Sequence, residues 1–172
     1  MIAFALLLSL IPQDEPAAYD PTTAPTTAAE SKPIDLEVRD ADRGRTIPIR
    51  VRLPPRADGD AVEPAPVLLF SHGLGGSRES GAYLAERWSA RGYVCVNLQH
   101  PGSDEAVWKE VRPFRRLAAL KQAASAKNYL LRVQDVPVVL DQLEAWNRDE
   151  AHPLSGRLDL TRIGMSGHSF GA

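Results

Sequence analysis

Apolar and polar residues alternate in two stretches near the start of the patterned chain. Ile34, Leu36 and Val38 stand between charged residues, and Ile47, Ile49, Val51 and Leu53 recur with Arg50 and Arg52 among them. A period of two puts every second side chain on one face of a pleated strand, so both stretches predict half-buried strands. Asp42-Arg43-Gly44 between them is turn chemistry, and the pair reads as an antiparallel hairpin. Further on the pattern changes. Val67-Leu68-Leu69-Phe70 is apolar without interruption, which suits a strand covered on both faces, as in a parallel sheet flanked by helices.

Helical spacing alternates with strands from there on. Ser77 is placed to cap a helix running to about Arg91, with Leu84 and Trp88 on one face and Gly92 to end it. Tyr93 to Leu98 reads as the next strand. Arg112 to Asn128 is basic and alanine-rich and predicts a helix, either a solvated surface helix or part of a cover over a site. Asp135, with Pro137 just inside, predicts a further helix start, after which Val136, Val139, Leu140, Leu143 and Trp146 form a core-facing stripe. Pro153 to Asp159 is a loop into a last strand, Thr161 to Met165. The order β, β, β, α, β followed by crossover helices is that of an α/β sheet.

Composition narrows the classes. With 172 residues, 44% apolar and 24% charged, the chain can bury the core of one domain. A net charge of -2 gives no basic excess for phosphate, and nucleic acid is excluded as a partner. The sole cysteine, Cys95, lies in an apolar run and reads as a buried, inert thiol. Met1 to Ile11 is apolar apart from Ser9, the length of a secretory hydrophobic region, so residues 1–12 are expected to be a signal peptide. Residues 13–33, rich in Pro, Thr and Ala, read as a disordered leader, and residues 34–172 as the folded domain. The expected location is secreted or periplasmic, with a cytoplasmic protein bearing a mis-assigned start as the alternative.

The chemistry concentrates at two glycine-rich turns. Gly167-His168-Ser169-Phe170-Gly171 is a G-x-S-x-G pattern directly after a predicted strand, the setting of a nucleophile elbow, and makes Ser169 the candidate catalytic nucleophile. A serine hydroxyl needs a base, and the oxyanion it generates needs preorganised donors. The backbone N–H of Phe170, the residue after the serine, is one candidate donor. The second is the N–H of Leu74 in His72-Gly73-Leu74-Gly75-Gly76, the turn after the third strand. The apolar side chains of Leu74 and Phe170 would then be free to line an acyl pocket.

The four histidines are weaker candidates. His100 follows a strand on the carboxyl-end side of the sheet and is a candidate for pocket lining. His72 is expected to order the oxyanion turn, His168 to pack beneath the elbow, and His152 to be solvent-exposed in a loop. None is a persuasive general base, and none has zinc-site spacing, so no metal or cofactor is implied. Asp104 and Glu105 read as loop solvation, and Asp135 and Asp141 as helix cap and helix face.

Phe70-Ser71-His72-Gly73-Leu74-Gly75-Gly76 together with Gly167-His168-Ser169-Phe170-Gly171-Ala172 resembles the α/β-hydrolase superfamily. The resemblance is closest to the branch of platelet-activating-factor acetylhydrolases and predicted dienelactone hydrolases, and Arg132-Val133-Gln134-Asp135 and Val139-Leu140-Asp141-Gln142-Leu143 resemble the helix before the elbow there. It covers roughly residues 34 to 172. It implies a mostly parallel sheet with flanking helices, truncated after the elbow, since the acid and histidine follow the nucleophile in this superfamily and only three residues follow Ser169 here. The expected function of the parent is a serine esterase acting on lipid-like or short-acyl esters, the chain itself being inactive for want of a base. A peptidase or amidase of the same fold, or a non-catalytic product, is the alternative. The expected partner is a small-molecule ester, with a lipid surface left open and the oligomeric state unassigned. The strand leading to Ser169 is expected to be a sheet edge.

Overall fold

The two alternating stretches form the expected hairpin. β1 (Ile34–Asp40) pairs antiparallel with β2 (Arg45–Arg52), setting Ile34 opposite Val51, Leu36 opposite Ile49 and Val38 opposite Ile47. This register stacks the apolar positions on one face, where Val38, Ile47, Ile49 and Val51 are fully buried. The structure, a computed structural model, describes residues 32–56 and 63–172. The expected signal peptide, 1–12, and most of the leader, 13–33, lie outside the described residues.

Three further strands, β3 (Ala65–Ser71), β4 (Val94–Leu98) and β5 (Leu158–Gly167), complete a sheet of order β1-β2-β4-β3-β5. β3 runs parallel to both its neighbours, while β2 meets β4 antiparallel. Every residue of β4 is buried, as expected of a strand covered on both faces. Alternation along β3 sends Val67 and Leu69 into the main core, and Phe70 to the opposite face. There the Phe70 ring meets Trp88 at a centroid distance of 6.5 Å. In the β3–β5 register Ser71 lies opposite Gly167, so both glycine turns leave the sheet side by side at the same end.

The helices depart from the predicted boundaries. α1 (Ala82–Ser89) begins after Gly81 rather than at Ser77. The Ser77 hydroxyl instead accepts from the Glu79 amide at 3.3 Å in a local turn, and Gly81, at φ 74°, takes a left-handed conformation that stops a helix from forming earlier. Gly92, at φ 89°, follows the helix where a stop was expected. The single helix expected over residues 112–128 is broken. α2 (Ala106–Lys109) and a 3₁₀ turn (Pro113–Arg115) precede α3 (Arg116–Ala123), and α4 (Ala126–Arg148) then runs for 23 residues.

α4 begins at Ser125, whose hydroxyl accepts the Asn128 amide at 3.2 Å, and not at Asp135. Pro137 therefore sits inside the helix. Its missing N–H would have served the Val133 carbonyl, and both residues lie on the exposed side, where water can replace the bond. The apolar stripe is as expected: Val139 and Leu143 are fully buried, and Val136, Leu140 and Trp146 pack against them. β5, with Ile163 43% and Met165 51% exposed, pairs only with β3 among the described residues, which makes it the edge strand. Cys95 is buried in β4, and burial pushes its thiol up to about 12.

Truncating Leu143 to Ala should therefore cost about 2–5 kcal/mol, because a fully enclosed side chain leaves a cavity. The same change at Leu117, which is 65% exposed, should stay within about 0.5 kcal/mol. Urea unfolding of the two variants measures the contrast.

Candidate active site

β5 ends at Gly167, and a single 3₁₀ turn, Ser169–Gly171, follows. Ser169 has φ 54°, the only positive value at a non-glycine among the described residues. Such a conformation costs on the order of 1–3 kcal/mol and persists only where the surroundings enforce it. Here they do, through the two flanking glycines. A Cβ on Gly167 would collide with the Gly171 carbonyl, and one on Gly171 would collide with Ser71 and stand 2.6 Å from the His72 carbonyl oxygen. The pattern G-x-S-x-G is thus a requirement of backbone against backbone. Ser169 itself is exposed.

The second turn is braced from several sides. The Gly75 N–H donates to the Ser103 carbonyl at 2.8 Å, the Gly76 N–H to Gly73 at 3.1 Å, and the Glu105 N–H to Gly76 at 2.8 Å. The indole N–H of Trp108 donates to the Gly75 carbonyl at 2.7 Å. His72 orders the turn through its ring. Nε2 accepts the His100 backbone N–H at 3.0 Å, so the proton lies on Nδ1, which donates to the Gly73 carbonyl at 2.6 Å. Burial holds His72 down at about 4, and the ring is neutral.

Because a trans peptide is planar, fixing the Gly73 carbonyl toward His72 aims the Leu74 N–H the opposite way. The amides of Leu74 and Phe170 have no acceptor among the described residues. Gly73 is where the two turns meet: a Cβ there would stand 2.9 Å from His168 Nδ1 and 3.5 Å from Ser169 Cβ. Leu74, His168 and Ser169 share one cleft of about 530 Å³, also lined by Phe70, Tyr83 and Leu84.

Several expected placements are corrected. His100 does not line the cleft: it is fully buried, with Nδ1 meeting Asp135 Oδ2 at 2.9 Å and Nε2 meeting the Ser71 hydroxyl at 2.9 Å. Asp135 is no helix cap. It is fully buried, with Arg45 donating to both its oxygens at 2.8 and 3.0 Å and Arg43 to Oδ1 at 3.0 Å. Burial would raise its pKa, but the hydrogen bonds from His100 and Arg45 outweigh it and hold the carboxyl below its ordinary value. For His100 burial outweighs the Asp135 hydrogen bond and lowers the pKa, leaving a neutral ring.

His168 lies exposed at the cleft beside Gly73, not beneath the elbow, since the absent glycine side chain leaves it room. His152 is half-buried, stacked on Trp146 at 4.7 Å. Asp104 is buried rather than solvated, and its Oδ2 accepts from Gln99 Nε2 at 2.8 Å. The Phe170 side chain turns away from Ser169 into a second cavity of about 290 Å³, where it meets Tyr129 edge-on at 6.2 Å. Arg132 was not singled out as a site residue. It lies one helical turn before Asp135, on the same face of α4, and that spacing was the available signal. It donates to the His72 carbonyl and to the Ser103 hydroxyl, and its guanidinium lies 5.2 Å from the Phe170 ring centroid.

No family model and no curated protein matches the sequence. Solved structures do. A ferulic acid esterase from Streptomyces cinnamoneus matches with a TM-score of 0.62 at 21% identity, over 86% of this chain and 54% of the esterase. The chain has the α/β-hydrolase fold. A puromycin-hydrolyzing peptidase of Mycobacterium tuberculosis matches with a TM-score of 0.54 at 17% identity, over 86% of this chain and 19% of the peptidase. An acylaminoacyl peptidase matches with a TM-score of 0.50 at 19% identity, over 81% and 19% respectively. The chain therefore spans about half the length of the esterase and about a fifth of either peptidase. Within this α/β-hydrolase sheet, the turns after β3 and β5 form the two walls of the cleft at Ser169.

Two outcomes are expected. Gly171→Ala should cost about 1–3 kcal/mol, because its methyl has only backbone carbonyls to displace, and thermal unfolding checks this. Stability should also fall as the pH drops from about 6.5 toward 4. The unfolded chain takes up a proton at the ordinary histidine value, whereas buried His72 resists until about 4, so its contribution is complete above 6.5 and is lost below. By pH 5 the loss from His72 should reach about 2 kcal/mol. A urea-derived stability that stays flat between pH 7.5 and 5 would contradict it.

Proposed function

We propose that Ser169 is the nucleophile of a serine hydrolase that cleaves carboxylic esters, with the amides of Leu74 and Phe170 as oxyanion donors. The observation that carries this reading is the left-handed Ser169, exposed in the cleft and held there by glycines at which a Cβ would run into backbone. The two amides without acceptors support it, since donors kept free in the resting state can meet charge that develops only during reaction.

In this reading Ser169 Oγ attacks the ester carbonyl carbon while its proton passes to a base. The oxyanion rests against the Leu74 and Phe170 N–H groups, and collapse expels the alcohol, which takes up that proton. Water then attacks the acyl-enzyme by the same route, releasing the acid and restoring Ser169. Among the described histidines, His72 and His100 have both ring nitrogens engaged and His152 is stacked against Trp146, so none of these three is placed to serve as that base. No Asp, Glu, Lys or Arg lines the cleft among the described residues, which favours an uncharged acyl group, lipid-like or short, over one whose charge would go unpaired.

The test is hydrolysis of p-nitrophenyl acetate by the full-length protein. Ser169→Ala should lower turnover by about a thousandfold or more and abolish fluorophosphonate labelling. Undiminished turnover in that variant removes the assignment. Faster cleavage of p-nitroacetanilide than of the ester would move the reading to an amidase or peptidase.

A further inference from the structure

His100 is tied to both turns. Its side chain runs from Asp135 through the imidazole to the Ser71 hydroxyl, and its backbone N–H reaches His72 Nε2 at 3.0 Å. The polarity of the chain of bonds is fixed. Asp135, held ionised by Arg45 and Arg43, can only accept, so His100 Nδ1 carries the proton and Nε2 must accept from the Ser71 O–H. This is the donor order of a Ser-His-Asp triad. Ser71, however, is only 3% exposed, at the edge of the second cavity, and His100 and Asp135 are not exposed at all, so the relay presents no nucleophile in the cleft at Ser169.

What the relay does hold is backbone. The Ser71 carbonyl accepts the N–H of His168, the residue before Ser169, at 3.2 Å, and Gly171 packs directly on Ser71. On the other arm, His72 fixes the Gly73 carbonyl, whose peptide carries the Leu74 N–H. The His100 carbonyl in turn accepts both the N–H and the hydroxyl of Ser103, each at 3.2 Å, and the Ser103 carbonyl accepts the Gly75 N–H.

We infer that His100 is a positioning residue: with Asp135 behind it, it sets the placement of the nucleophile turn through Ser71 and of the oxyanion turn through His72. The inference rests on reading Ser169 as the nucleophile, but its geometric half can be measured without catalysis. A relay of this kind should govern the rate of the chemical step and leave substrate binding alone, because neither His100 nor Ser71 lines the cleft.

The experiment compares Ser71→Ala, Ser71→Thr and His100→Gln in the full-length protein. With p-nitrophenyl acetate, Ser71→Ala and His100→Gln should lower kcat about tenfold with KM within about twofold, and Ser71→Thr, which keeps the hydroxyl, should restore kcat. In parallel, amide hydrogen exchange at His168 should accelerate about tenfold in Ser71→Ala and return to the parental rate in Ser71→Thr. Long-range ¹⁵N–¹H spectra should show His100 as the Nδ1–H tautomer. If the parent turns over no ester while the tautomer and the exchange pattern are as stated, the hydrolase reading fails and the placement of the turns by His100 stands. An Nε2–H tautomer, exchange at His168 indifferent to both variants, or fluorophosphonate attached to Ser71 would each overturn the inference.

Discussion

A carboxylate with no access to water is tolerable only if other charges and donors replace its hydration. Asp135 is such a group, and the pieces that replace its hydration come from separate parts of the chain. Arg43 arrives from the turn between β1 and β2, Arg45 from the first residue of β2, and His100 from the exit of β4. Arg45 also donates to the Pro101 carbonyl at 2.7 Å, and Arg43 to the carbonyls of Leu131 and Gln134 on α4. The hairpin, the loop after β4 and the long helix are therefore not free to shift independently. Any displacement of one strips partners from a buried charge.

The strain at Ser169 is maintained from the same direction. The left-handed serine is held because Gly167, Gly171 and the carbonyls of Ser71 and His72 pack too closely to allow another path. Arg132 and Asp135, on one face of α4, reach beneath that packing, the first to the His72 carbonyl and the second through His100 to Ser71. Burial lowers the Arg132 pKa to about 10, which leaves it cationic at neutral pH, and the negative end of a peptide dipole is a fitting partner. The electrostatics of the core and the stereochemistry of the elbow are in this way one arrangement.

Much of this was legible in the residue order, and the failures have a common cause. Period-two alternation at Ile34–Val38 and Ile47–Val51 and the unbroken run at Val67–Phe70 locate strands because local pattern and burial agree there. Both glycine turns could be read because glycine suits the close backbone approach at Gly167 and Gly171 and the left-handed conformation at Gly75. Helix starts were misjudged where two local signals competed: Asp135-Pro137 has the chemistry of a first turn, yet Ser125 caps the helix ten residues earlier. The carboxylate of Asp135 is engaged by Arg45 across 90 positions and by His100 across 35, and no local spacing announces either. The direction of the Phe170 ring was equally hidden. It follows from the backbone reversal at Ser169, which only the assembled fold reveals.

The sole thiol of the chain lies at the second residue of an inner strand, 1% exposed and protonated across the physiological range. While the sheet is closed, a thiol reagent has nothing to attack. Alkylation of Cys95 thus works as a built-in clock for the opening of β4, and surface cysteines added elsewhere can be labelled without a background reaction at this position.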